Sequence, residues 1–277
     1  MIASRLPLVR RNNIKQRIIT ALIALPIVLV ITLGVPIGWF ATVVTVVAAV
    51  ALWELYAMVM PAQRVYAKYG AIVVGALLVP LIAFDLPLFL PVVAISLLIF
   101  ASYYLFYYGD LNSVVAELGC VVLGWLYLPL LLSNMVLLHA MPHGQRWVLL
   151  VLIMTMLCDS SAYFIGTAWG KHRLYPAISP KKSVEGAIGG LGGALLAALA
   201  AHLWLVPNTS WVDCIIIGTL AGVCGQIGDL FESMLKRSAN IKDSGTIFPG
   251  HGGMLDRIDS LLFSFPAIYA YLYFCGV

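Results

Sequence analysis

The stretch "GAIVVGALLVPLIAFDLPLFLPVVAISLLIFASYYLFY", residues 70–107, carries one charge, Asp85. Its apolar residues run on without alternating with polar ones, which excludes the wall of a β-barrel. On either side of Asp85 the run approaches the ~20 apolar residues that a helix needs to cross a bilayer. The rest of the chain has the same texture. Hydrophobic residues make up 62% of the 277, only 10% are charged, and the mean hydropathy is +1.00. A soluble domain is nearer half apolar and a quarter charged. One water-facing core could not hide this much apolar surface, so most of the chain must be solvated by lipid.

Outward from residues 70–107, nine apolar segments are expected to span: roughly 18–33, 37–59, 70–84, 86–107, 115–138, 147–168, 185–206, 211–235 and 258–276. The predicted fold is therefore an all-α integral membrane protein of about nine transmembrane helices. The opening "MIASRLPLVRRNNIKQRIITALIALPIVLV" has the basic arm and apolar run of a signal sequence. No small-residue cleavage site follows, and the reading is a retained first span. Of the sixteen Lys and Arg, fifteen fall in the N-terminal arm or in alternate loops, and only Arg146 falls on the other side. Cations favour the cytoplasmic side, so the N-terminus and those loops are expected to be cytoplasmic. The net charge of +4 then reflects topology and anionic lipid contact, with no nucleic-acid partner. Cys120, Cys158, Cys214, Cys224 and Cys275 lie in or beside apolar spans without a CxxC pair, so no disulfide framework or zinc site is indicated.

The chain divides by chemistry. Residues 1–145 hold about five spans and almost no polar group at membrane depth, which suggests a membrane scaffold. Residues 146–277 hold about four spans and two polar loops, which suggests the catalytic region. Span 185–206 opens with two GxxxG pairs, Gly186 with Gly190 and Gly189 with Gly193. Close helix packing is the favoured reading, with close approach to a bound phosphate as the alternative. Gly218 and Gly222 are weighed the same way.

Ionisable groups within spans are functional suspects. Asp159 lies in the sixth segment, Asp229 and Glu232 near the end of the eighth, and Asp256 and Asp259 at the start of the ninth. The i, i+3 spacing of the last pair puts both on one helix face. Helix capping or pairing with Arg257 would explain them. Metal ligation is preferred, because these carboxylates outnumber the buried cations able to pair them. Carboxylates of this kind suit Mg²⁺, whose remaining positions are filled by water and substrate phosphates. Glu54 and Glu117 stand alone and are assigned to packing or interfaces. Two loops, "GKHRLYPAISPKKSVEG" and "SMLKRSANIKDSGTIFPGHGGMLDRIDS" (residues 233–260), mix cations with Gly, Ser and Pro. Cationic side chains, open backbone N–H groups and a helix N-terminus together make a polyphosphate cradle. There is no GxxxxGK[ST] P-loop.

The second loop resembles the signature of the phosphatidate cytidylyltransferase (CDP-diacylglycerol synthase) family. Ser233, Lys236, Arg237, Lys242, Asp243, His251, Gly252, Gly253, Asp256, Arg257 and Asp259 match it position by position. "CDSSAYFIGTAWGKHRLYPAISPKKSVEGAIGG" is similar to the family's other polar region, and the multi-span layout agrees. The resemblance implies CMP transfer from CTP to phosphatidic acid, with Mg²⁺ and room for a second cation. It implies metal contact for Asp229, Asp256 and Asp259, with Asp159 and Ser233 behind them. Phosphate contacts would fall to Lys171, Lys181, Lys182, Ser183, Lys236, Arg237, Lys242 and Arg257, and Asp243 and His251 join the catalytic set. The expected setting is a bacterial inner membrane, with the active site facing the cytoplasm and the protein a homodimer among membrane lipids. The rivals are a CTP- or ATP-dependent polyprenol-type lipid kinase and an ion-coupled transporter.

Overall fold

The structure, a computed structural model, describes residues 22–248 and 252–276. Among the described residues nine helices follow one another: α1 (Leu22–Gly34), α2 (Ile37–Val59), α3 (Val65–Ala83), α4 (Phe89–Phe106), α5 (Leu111–Ala140), α6 (Gly144–Trp169), α7 (Val184–His202), α8 (Trp211–Ser238) and α9 (Leu255–Cys275). α2 to α9 are each long and apolar enough to cross a membrane. In hydrocarbon every backbone N–H and C=O must find its partner within the chain, and a helix does this residue by residue. Large apolar side chains such as Leu98, Leu105 and Phe164 point outward, as the lipid reading requires. Residues 18–21 of the first expected span lie outside the described residues.

The fold is all-α apart from one small hairpin that the sequence reading did not anticipate. Between α6 and α7, β1 (Arg173–Tyr175) pairs antiparallel with β2 (Ser179–Ser183). The spans otherwise fall where expected, with shifted ends. α3 starts at Val65, ahead of the expected 70, because Tyr66, Lys68 and Tyr69 are tolerated at a membrane interface. Asp85 does separate α3 from α4, in a left-handed backbone conformation (φ 47°).

α6 and α7 pack most intimately, and the glycines of α7 make this possible. A Cβ on Gly190 would lie 3.0 Å from the Cys158 carbonyl oxygen and 3.1 Å from Ala162 Cβ. On the next seam, a Cβ on Gly218 would lie 3.0 Å from Leu195 Cα. Both sets of glycines therefore serve helix packing. α8 packs against α7 and α9, while α5 touches both α2 and α3 on one side and α9 on the other. α4 is peripheral, resting on α3 and α5.

Polar groups staple the helix ends. Ser210 and Asp213 form a capping box on α8. Arg64, just before α3, donates to Glu117 Oε2 at 2.5 Å and to the Tyr107 carbonyl. Glu117 holds the Arg64 guanidinium above its ordinary value. Glu117 is thus paired, not isolated.

Candidate active site

Helix order brings the C-terminal end of α8, the N-terminal end of α9, the end of α2 and the hairpin to the same end of the bundle. Asp229, Glu232, Ser233 and Lys236 are spaced i, i+3, i+4, i+7 and so form one stripe on α8. At its start, Lys182 of β2 reaches across to Asp229, Nζ to Oδ2 2.5 Å. Ser233 Oγ donates to the other Asp229 oxygen at 3.4 Å. At its end, the Lys236 ammonium lies 2.7 Å from Asp256 Oδ1 and 3.2 Å from Glu232 Oε1.

Asp256 is fully engaged. Its Oδ2 accepts from Ser244 N (2.9 Å) and Gly253 N (2.8 Å) and lies 3.0 Å from Ser244 Oγ, while Oδ1 takes Lys236. Lys182 and Lys236 pair Asp229, Glu232 and Asp256, while among the described residues no ion pair reaches Asp159 or Asp259, so the acids still outnumber the cations that answer them. Asp256 can join a metal only by releasing one of its present partners. Glu232 is more open to one. It is wholly buried, and among the described residues its one ion-pair partner is Lys236, 3.2 Å from Oε1. Glu232 lies one helical turn beyond Asp229 on the same stripe, and carboxylates grouped in this way suit a hard cation. Among the described residues, no three His, Cys, Asp or Glu groups already stand at metal-holding spacing. Asp159 is exposed on α6, next to Cys158 at the α7 and α8 contact.

The hairpin is folded onto this cluster. Glu185, in the first turn of α7, accepts from the backbone N–H groups of Lys171 (3.1 Å) and His172 (3.2 Å), and lies 2.6 Å from His172 Nδ1. Arg237, at the end of α8, donates to the carbonyls of Ile178 (3.2 Å) and Ile241 (2.9 Å). Ser183 is buried and caps α7 by accepting from Gly186 N at 3.1 Å. Of the cations expected to meet phosphate, Lys171, Lys181, Lys242 and Arg257 are exposed, as is Asp243. Lys236 is buried and faces carboxylates. His251 lies outside the described residues, as do the N-terminal cations Arg5, Arg10, Arg11, Lys15 and Arg17.

One participant was missed. Glu54 of α2 is 1% exposed and accepts from Met254 N (2.9 Å), Leu255 N (2.8 Å) and Ser244 Oγ (3.1 Å). Its only sequence signal is a carboxylate inside an apolar span. The glycines of the loop now read differently. A Cβ on Gly245 or Gly253 would collide with the Glu54 carboxylate. Gly252 has φ +83°, and a Cβ there would lie 2.5 Å from Asp256 Oδ2. These three glycines make room for carboxylates of the chain itself.

Fold and site together define a polytopic helical membrane protein in which acidic helix faces meet basic loops at one end of the bundle. The chain belongs to the cytidylyltransferase family, which matches residues 15–275. It is similar to the phosphatidate cytidylyltransferase of Staphylococcus epidermidis (strain ATCC 35984), 32% identical over 266 residues covering 92% of this chain and 97% of that protein. It is also similar to the Bacillus subtilis (strain 168) protein of the same name, 38% identical over 154 residues, or 55% of this chain and 57% of that one. The Staphylococcus aureus (strain COL) protein, again so named, is 42% identical over 125 residues, 45% of this chain and 48% of its own length. In these last two relatives the matched region spans about half of their length.

Proposed function

We propose that this protein transfers CMP from CTP to phosphatidic acid, forming CDP-diacylglycerol and pyrophosphate. The observation that carries the reading is the ion pair between Lys182 and Asp229, which brings a basic loop onto an acidic helix face at the ends of membrane helices. A water-soluble polyanion and a lipid headgroup can meet at such a place. The family membership, and the name of the Staphylococcus epidermidis relative that aligns along nearly its full length, support the same reaction.

In this reaction a phosphate oxygen of phosphatidic acid attacks the α-phosphorus of CTP. The bond from that phosphorus to the bridging oxygen breaks, and pyrophosphate leaves with the electron pair. The attacking lipid phosphate is already ionised, so no strong general base is needed, and the work is positioning and charge neutralisation. Asp229 and Asp259, with Glu232 behind them, would hold Mg²⁺, and Asp256 would join by exchanging a partner. Bound there, the cation neutralises charge on the triphosphate. Lys171, Lys181, Lys242 and Arg257 bind phosphate groups from the open side. Arg237 holds the hairpin, and Lys236 keeps Asp256 and Glu232 in place. Asp159 and Ser233 orient the groups around Asp229.

The site faces the cytoplasm of a bacterial inner membrane in this reading, on the strength of the lopsided placement of Lys and Arg. The apolar N-terminal half suits a homodimer. The test is an assay of the purified protein in detergent micelles with phosphatidic acid, CTP and Mg²⁺. CDP-diacylglycerol and pyrophosphate are expected in equal amounts. Release of CDP with phosphorylation of a lipid alcohol would establish a kinase instead, and chelation of Mg²⁺ without loss of rate would remove the metal.

A further inference from the structure

The N-terminus of α9 carries two of the site's carboxylates, yet it has no cap of its own. Met254 stands at the cap position with no side-chain oxygen to offer and makes no side-chain cap bond. The first N–H groups of a helix need acceptors when they are buried. Here they come from across the bundle. Glu54 Oε1 takes the N–H of Met254 and Oε2 takes that of Leu255, at 2.9 and 2.8 Å. The same Oε2 takes the hydroxyl of Ser244, whose backbone N–H donates to Asp256 Oδ2. One carboxylate of α2 therefore bonds to both ends of the loop that begins at Ser244 and ends where α9 begins.

Three further observations make this an arrangement and not an incidental contact. Glu54 is 1% exposed, and a buried carboxylate is costly unless its charge is answered. Among the described residues no Lys or Arg stands within ion-pair distance of it. Its charge is met instead by N–H donors at the positive end of the α9 dipole. Secondly, Gly245 and Gly253 both lie against this carboxylate with no space for a Cβ. Thirdly, Glu54 and Asp256 share Ser244, so the acid of α2 and the acid of α9 are held in one hydrogen-bonded unit.

We propose that Glu54 is a positioning residue for the transfer reaction, setting where the first turn of α9, with Asp256 and Asp259, stands relative to Asp229 on α8. This rests on the reaction proposed above. It also gives the N-terminal half a part in the chemistry, since a helix outside residues 146–277 fixes the position of groups inside them. Glu54 touches no reacting atom in this assignment and acts through the backbone of Met254 and Leu255.

The test uses the full-length protein in detergent with Glu54→Gln, Glu54→Asp, Glu54→Ala and Gly245→Ala. Two readouts are taken: kcat and KM for CTP, and amide hydrogen exchange over residues 253–256. Glu54→Gln keeps the volume but turns an amide NH₂ donor toward one of the backbone N–H donors. It is expected to lower kcat at least tenfold with KM for CTP changed less than threefold, and to speed exchange at Met254 and Leu255 ahead of the rest of α9. Glu54→Asp is expected to recover part of the loss. Gly245→Ala should reduce kcat in the parent protein and add no further loss to Glu54→Ala, where the carboxylate it strikes is gone. Should Glu54→Ala not fold, the Gln and Gly245 variants carry the test. A folded Glu54→Gln protein with parental kcat and parental exchange at 254 and 255 overturns the proposal. If the parent protein makes no CDP-diacylglycerol, the reaction assignment fails and the proposal with it, while the exchange measurement still reports whether Glu54 holds the turn.

Discussion

Lys182 Nζ lies 2.5 Å from Asp229 Oδ2, and this one ion pair fastens the last strand of the hairpin to α8. Both side chains are 29% exposed, so water screens the pair and its share of stability is small, about 0–1 kcal/mol. Its weight should show in catalysis. Lys182→Ala and Asp229→Asn are each expected to cost about 10²-fold in kcat, comparable to losing a charge-stabilising donor. The double variant should be little worse than the poorer single, since groups that act as a unit are not additive. Fully multiplicative losses, measured as labelled CMP incorporated into lipid, would show that the two act separately.

Lys236 answers two buried acids, Glu232 and Asp256. Lys236→Met would strand both, at a cost of about 3–5 kcal/mol, read as a large fall in the thermal midpoint in detergent. Neutralising all three, with Glu232→Gln and Asp256→Asn added, should recover most of the midpoint without restoring turnover. Recovery of turnover would remove these groups from the site.

The α6–α7 seam offers a stability test apart from the chemistry. A Leu at Gly190 must displace the Cys158 carbonyl region, and overpacking of this kind costs about 1–3 kcal/mol. Nothing lies within 4 Å of a Cβ at Gly192. Gly190→Leu should lower the thermal midpoint and the yield of monodisperse protein, and Gly192→Ala should change neither. Equal behaviour of the two would mean that the seam is not packed as described.

Arg64 and Glu117 are buried together at 9% and 12% side-chain exposure. Arg64→Lys keeps the charge but loses the fork that also reaches the Tyr107 carbonyl. A loss of about 1.5–3 kcal/mol is expected, the range for hydrogen bonds to charged groups, with kcat per folded molecule unchanged. The raised Arg64 group contributes stability that is fully present below arginine's ordinary value and is lost only above its folded one. The difference in midpoint between the parent and Arg64→Ala should thus stay constant from about pH 7 to pH 10. A difference that shrinks across that window would contradict the pairing.

Much of this architecture was readable beforehand because lipid leaves so few options. A long apolar run must be a helix, so the order of spans followed from composition, and the polar segments between them had to mark the site. The rotation of each helix was harder to read. Lys236 looked like a phosphate ligand until the stripe from Asp229 to Lys236 turned it inward to Asp256. The hairpin was hidden because its residues are ordinary for a polar loop and its fold depends on Glu185 gathering the N–H groups of Lys171 and His172. Glu54 was the hardest to see, since its partners lie some two hundred positions further along the chain. Only contact geometry ties the loop glycines to Glu54 and Asp256.

The length of α8 bears on the depth of the proposed site. At ~1.5 Å per residue its 28 residues measure about 42 Å, against roughly 30 Å of hydrocarbon. With Trp211 at one boundary, Asp229 stands about 27 Å away, close to the other, and the turns from Glu232 to Ser238 project into the headgroup layer. The acids of α8 therefore avoid the full penalty of a charge at the bilayer centre. A lipid phosphate can be handled at its resting depth while its acyl chains stay in the hydrocarbon.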